Sequence, residues 1–226
     1  MNENLMDERN PSYAGIVAGI AKGDLWINTP ENPTLVTAYS YCVGGCGVAG
    51  AIKREEEARD YFEQIVFPAL KKKGIYEFEF STEDDRLRQQ LLSIFADQDI
   101  HWEQEYSYRR KKAIEKEFNV PTGYRIKEVD DSFLEKLYHR EIQNADLLTE
   151  RIKESWADRD TFLKNSIAYA AIYENSIAGV IFGSSQYKKY ITIDIETEES
   201  HRRKGIGTAL TKAFMDGCVR KGYVAQ

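Results

Sequence analysis

Apolar and polar positions change period several times along the chain. Asp24–Asn28 (DLWIN) and 35–43 (LVTAYSYCV) are rich in aromatic and β-branched residues and flank a Pro- and Asn-rich turn, TPENPT, so they predict two strands. The run GGCGVAG, 44–50, is expected as a glycine-rich connection. From Lys53 to Gly74 the period turns helical: Ala58, Phe62, Ile65 and Val66 recur on one face, with acids early and lysines late. This predicts an amphipathic helix adjusted near Pro68. IYEFEF (75–80) alternates as a strand, 81–97 predicts a helix capped by Ser81 or Thr82, and HWEQEYSYRRKKA (101–113) alternates again.

Pro121 and Gly123 then interrupt the pattern, and a fresh alternating strand starts at Tyr124, which places a join near residue 121. The chain divides on this reading into an N-terminal mixed α/β domain, 1–120, and a second α/β domain, 121–226. In the second, 132–143 and 146–165 predict helices, 166–185 two strands around a Glu174-Asn175 turn, and 188–197 a longer strand. Ala209, Leu210, Ala213, Phe214 and Cys218 then recur at helical spacing up to Gly222, and YVAQ begins another strand. No internal repeat is visible in the sequence.

With 226 residues, 42% hydrophobic and 30% charged, the chain has the composition of a globular protein large enough for a sizeable core. A formal net charge of −6 argues against a nucleic-acid partner. No apolar run approaches the roughly 18 residues of a membrane span, and the start lacks a secretion signal, so no membrane partner and a cytoplasmic location are expected. Cys42, Cys46 and Cys218 are too few for a disulfide scaffold or a structural zinc site and are expected as small hydrophobes; no metal is expected.

The chemistry concentrates in HRRKGIGT, between the 188–197 strand and the last helix. Gly205 and Gly207 remove Cβ atoms where the backbone turns and the first-turn amides of a helix point outward with partial positive charge, a setting suited to a phosphate or pyrophosphate. Arg202, Arg203 and Lys204 strengthen that preference. The P-loop would need Gly-Lys-Ser/Thr, and the dinucleotide fingerprint a third glycine.

Arg202, Gly205 and Gly207 match the Arg/Gln-x-x-Gly-x-Gly/Ala motif, and with the order of elements from Tyr124 onward the chain resembles the GNAT superfamily of acyl-CoA-dependent N-acyltransferases. PENPTLVTAYSY, EYSYRRK and IDIETEESHRRKGIGTALTKAF resemble in particular its two-domain branch that includes the zwittermicin A self-resistance acetyltransferase. The resemblance implies an α/β (α+β) fold in which the second domain has a central mixed sheet flanked by helices. It also implies that the motif amides, over Arg202, Arg203, Lys204, Gly205, Ile206, Gly207 and Thr208, hold the pyrophosphate of acetyl-CoA, and that main-chain groups of Ile195, Glu196 and Thr197 bond the pantetheine arm. Arg203 departs from the glycine common at its position.

Asp194 and Glu196 share one face of the strand by its period of two, and either could take the proton of an attacking amine directly or through water; they could equally face solvent or a basic neighbour. Related sequences often carry an acid nearer Thr192. His139 and Cys218 fit helix faces, and His201 flanks the loop. The resemblance also leads one to expect about 25 to 40 further residues, including a helix bearing a general-acid tyrosine. The GNAT part is therefore expected to be truncated after its third helix, with an unpaired strand edge open to segment exchange in a homodimer. Two functions stay open: N-acetyl transfer from acetyl-CoA to a primary amine of a small molecule, or a non-catalytic acyl-CoA-binding or interaction module.

Overall fold

The computed structural model of the protein describes residues 6–116 and 119–226. The chain divides into two compact units, Met1–Tyr106 and Ser107–Gln226. The second begins ahead of Pro121 because the segment before it joins that unit's sheet, with Arg110 bridged to Ala225 in both directions (3.0 and 3.2 Å).

The first unit opens with a short helix, α1 (Pro11–Val17), followed by strands β1 (Gly23–Ile27), β2 (Leu35–Ser40) and β3 (Cys46–Gly50). β1, β2 and β3 form an antiparallel meander. The glycine-rich run is thus a strand, where a connection is expected from sequence. Gly47 is required because its Cβ would stand 2.4 Å from the Tyr13 ring, so the glycine admits α1 onto the sheet.

The amphipathic segment forms α2 (Glu55–Tyr61), a wide π turn over Phe62–Val66, and α3 (Phe67–Lys72). Pro68 lacks an N–H and its ring crowds the carbonyl one turn earlier, which accounts for the widened turn. β4 is only Phe80–Ser81, parallel to β3, and α4 spans Asp85–Ile94. Its cap is Asp84, which accepts the amides of Arg86 and Leu87 at 2.8 and 3.0 Å; the expected caps Ser81 and Thr82 lie ahead of it. Phe62, Phe67, Phe78, Phe80 and Phe95 pack against one another in the core beneath β3, edge-on and tilted except for Phe78 and Phe80, which stack. The alternating stretch 101–113 forms no ladder beyond the Arg110 bridge, and Trp102, Tyr106 and Tyr108 are exposed.

The second unit contains β5 (Tyr124–Glu128), α5 (Asp131–Tyr138), α6 (Asp146–Ser155), α7 (Arg159–Asn165), β6 (Ala168–Tyr173), β7 (Ser176–Tyr187), β8 (Tyr190–Thr197), α8 (Ile206–Lys221) and β9 (Val224–Ala225). The sheet order is β5-β6-β7-β8-β9, antiparallel except for the parallel β8–β9 pair, so this is a mixed sheet. β8, expected from sequence to lack a neighbour over most of its length, pairs β9 at its start, through Tyr190 and Ile191, and Ile193 donates to the Gln226 carbonyl at 3.0 Å. α8 covers one face with Leu210, Phe214, Met215 and Cys218, packed on Tyr169, Ile181 and Ile191. Among the described residues, no helix is long and apolar enough to cross a membrane.

Candidate functional site

β8 turns its side chains alternately to two faces. Ile191 and Ile193 join the core under α8, whereas Asp194 and Glu196 meet Arg151 of α6. The main chain alternates as well. Lys189 and Ile191 carbonyls accept from Val224 and Gln226 at 2.7 and 2.9 Å, so odd-numbered residues direct their polar groups toward β9. By the same period, Ile195 directs its N–H and C=O to that side, one step beyond the Gln226 pairing. Glu196 stands opposite Val180, and the Glu198 amide bonds Ala178 at 3.0 Å, so the Glu196 main chain faces β7 within the ladder. The Thr197 carbonyl accepts from Arg202 Nε at 3.0 Å. Of the three residues expected to bond a pantetheine arm, Ile195 and Thr197 direct their main chain to the open side by this period, and the Thr197 carbonyl is already taken by Arg202.

The loop after β8 is built to present backbone. Glu198 accepts the Ser200 hydroxyl and the Ser200 amide, the latter at 3.0 Å, which together hold its carboxylate below the ordinary range, and a single 3₁₀ turn runs over Glu199–His201. The loop is anchored from beneath: Tyr124 Oη lies 2.7 Å from His201 Nδ1, and both rings pack on Tyr173. Arg203 takes φ 60, a left-handed conformation that explains why glycine is favoured at this point. Gly205 follows at φ 84 as the N-cap of α8.

α4, α5 and α7 are each capped by an aspartate: Asp84, Asp130 and Asp158. α8 has no side-chain cap and no acid in its first turn. Ala209 makes the first helical bond, to Gly205 O at 3.1 Å, so the amides of Ile206, Gly207 and Thr208 precede the ladder and face outward. A Cβ on Gly207 would have Ile195 Cδ1 as its nearest neighbour at 3.9 Å, so the space above this amide is open. Arg202, Arg203 and Lys204 are exposed around this entrance, with Glu199 the acid nearest in sequence. Arg202 and Lys204 reach back to the Thr197 and Ser200 carbonyls, so both side chains also brace the loop. The uncapped amides, the helix dipole and the basic rim together suit a pyrophosphate.

Asp194 and Glu196 face a basic neighbour: one Arg151 guanidinium meets both, at 2.6 Å from Asp194 Oδ2 and in close contact with Glu196 Oε2. Arg151 lay outside the sequence reading, since its partners follow more than forty residues later. Thr192, two residues ahead on the same strand face, bonds Ser184 at 3.0 Å. His139 lies beside Glu135 (3.4 Å), and Cys218 sits on the buried face of α8; burial pushes its thiol up to about 12. Among the described residues, no group of His, Cys, Asp and Glu is arranged to hold a metal ion.

A mixed sheet whose fourth strand leads through a basic, glycine-turned loop into an uncapped helix defines an acyltransferase-type α/β domain. The chain belongs to the GNAT acetyltransferase family, which it matches over residues 4–226. In fold it is similar to a GCN5-related N-acetyltransferase-like protein from Streptococcus suis, with TM-score 0.56 and 14% identity over 90% of this chain and 77% of that one. It is also similar to a GCN5-related N-acetyltransferase from Kribbella flavida, with TM-score 0.53 and 12% identity over 94% of this chain and 82% of that one. At such identities the likeness is one of fold. No curated protein matches the chain significantly by sequence.

Proposed function

We propose that the second unit transfers an acetyl group from acetyl-CoA to a primary amine of a small molecule. The entrance of α8 carries this reading: a left-handed glycine cap leaves the first-turn amides without a side-chain acceptor, in a basic loop of a chain that belongs to an acetyltransferase family. Acetyl-CoA supplies the activated acyl group and a thiolate leaving group. The amides of Ile206, Gly207 and Thr208 would hold its pyrophosphate, and the main chain of Ile195 would position the pantetheine arm and polarise the thioester carbonyl. Glu196 or Asp194 would accept the amine's proton, directly or through water, on release from Arg151. The absence of a disulfide among the described cysteines suits a reducing compartment, and we assign the reaction to the cytoplasm.

The Arg151 contacts favour a second reading, a non-catalytic acyl-CoA-binding module, because they engage both candidate bases. Thiol release from acetyl-CoA across an amine panel separates the two: amine-dependent release supports transfer, and coenzyme binding without release under any amine supports the binding module.

A further inference from the structure

The two units repeat one topology that the sequence does not reveal. In the first, β1, β2 and β3 run antiparallel in succession, the α2–α3 segment crosses over, and β4 returns parallel to β3. In the second, β6, β7 and β8 run antiparallel in succession, α8 crosses over, and β9 returns parallel to β8. The parallel contact involves the first two residues of the last strand in each antiparallel run, Cys46 and Gly47 against β4 and Tyr190 and Ile191 against β9. Counted from that contact, Val48–Gly50 corresponds to Thr192–Asp194, the stretch of β8 that leads into Ile195, which lies beside the coenzyme arm under the reading above.

Two independent features separate the copies. The first is the helix entrance. α2 begins with Glu55, Glu56 and Glu57, opposite in charge to the α8 entrance. Arg54, the basic residue at this N-cap, pairs with Glu57. Three carboxylates on a helix's first turn repel a phosphate from the amides that would bind it.

The second feature is the cleft. Gly47–Gly50 faces 81–84 across a cavity of about 240 Å³ whose remaining walls are Met6, Asp7, Arg9, Asn10 and Tyr13. That volume is below the roughly 300 Å³ at which ligand pockets begin. Tyr13, 6% exposed, lies on Gly47 and bonds Ser81, so it spans from β3 to the end of β4.

We infer that the first unit is a second copy of the acyltransferase core whose coenzyme cleft is closed by the chain's own residues 6–13 and whose helix entrance rejects phosphate, so that each chain binds one coenzyme A, in the second unit. The stoichiometry rests on the proposed coenzyme site; the closed cleft does not.

Calorimetry of the full chain with acetyl-CoA tests the stoichiometry. One site per chain, lost in Gly205→Val, is expected. Two sites, or one that survives Gly205→Val, would overturn the inference and leave the transfer reading standing. No binding by the folded chain would overturn the coenzyme reading and the stoichiometry with it.

Hydrogen exchange tests the closure without coenzyme. Tyr13→Ala should speed exchange along Val48–Gly50 by at least tenfold while coenzyme affinity stays unchanged. Tyr13→Phe keeps the ring over Gly47 and should preserve most of the protection, which covers the case in which the alanine variant fails to fold. Unchanged exchange in a folded Tyr13→Ala protein, or protection that rises at Val48–Gly50 when acetyl-CoA is added, would overturn the closed cleft.

Discussion

Tyr124 and His201, at opposite ends of the second unit's sequence, meet through a 2.7 Å contact between the phenol oxygen and Nδ1. It ties the 3₁₀ turn ahead of the glycine loop to β5, while the tilted packing of both rings against Tyr173 holds the pair from the side. Tyr124→Phe keeps the ring packing and removes about 1 kcal/mol of hydrogen bonding. Coenzyme affinity should fall by up to about fivefold, because a looser turn presents the α8 amides less uniformly, and the melting temperature should fall by only a few degrees. Calorimetry alongside a thermal melt checks both; unchanged affinity would show that the loop is positioned without this bond.

Arg151 stands between two carboxylates that would otherwise repel each other on one strand face. All three side chains remain about 30% exposed, so the ion pairs contribute about 1 kcal/mol to stability. Arg151→Met should therefore fold. With the guanidinium gone, Asp194 and Glu196 present uncompensated negative charge, and KM for a cationic amine should fall by about threefold to tenfold at saturating acetyl-CoA. Adding Glu196→Gln should reverse most of that gain. A KM that rises in Arg151→Met would mean that the arginine itself contacts the acceptor.

The three cysteines should divide by burial. Cys46 and Cys218 are 2% and 1% exposed, and burial pushes both thiols up to about 12. A raised value keeps the thiol protonated, so neither forms an appreciable thiolate at pH 8. Cys42, half-buried beside the Ser40 hydroxyl, is open to reagent. A disulfide exchange reagent at pH 8 should titrate one thiol in the native protein and three in denaturant. Fast reaction of a second thiol in the native state would show that a core segment opens readily.

The strands and helices of the second unit were legible because their periods are long and uninterrupted, as in β8 and α8, and because a Glu174-Asn175 turn between two strands has few alternatives. The errors share a physical cause. GGCGVAG looks the same whether its glycines turn the chain or admit a close neighbour, and the neighbour is Tyr13, which lies far ahead in sequence. HWEQEYSYRRKKA alternates as a strand does, yet strand formation needs a partner edge, and only Arg110 finds one. α1 is short and contains Gly15, so local propensity does not announce it; packing of Ile16 over Gly23 and Tyr13 over Gly47 holds it in place. At the site, the glycine loop was legible from its own residues. Arg151 was not, because nothing in α6 indicates which strand it will meet.

Gly205 and Gly207 share the motif but serve it differently, and alanine separates the two roles. Gly205 holds φ 84, where an alanine is strained by about 1 kcal/mol, so Gly205→Ala should lower stability and coenzyme affinity together. Gly207 lies in the first turn of α8, and an added Cβ would have its nearest contact at 3.9 Å. Alanine is the better helix former, so Gly207→Ala should raise stability by about 0.5 kcal/mol. The same methyl group would stand over the open amide, in the path of an approaching pyrophosphate. Affinity for coenzyme A should therefore fall at least fivefold in a protein that melts higher than the parent. Thermal melts and calorimetry on the pair read out the two roles. A Gly207→Ala protein that gains stability and binds coenzyme A unchanged would place the pyrophosphate away from the α8 amides.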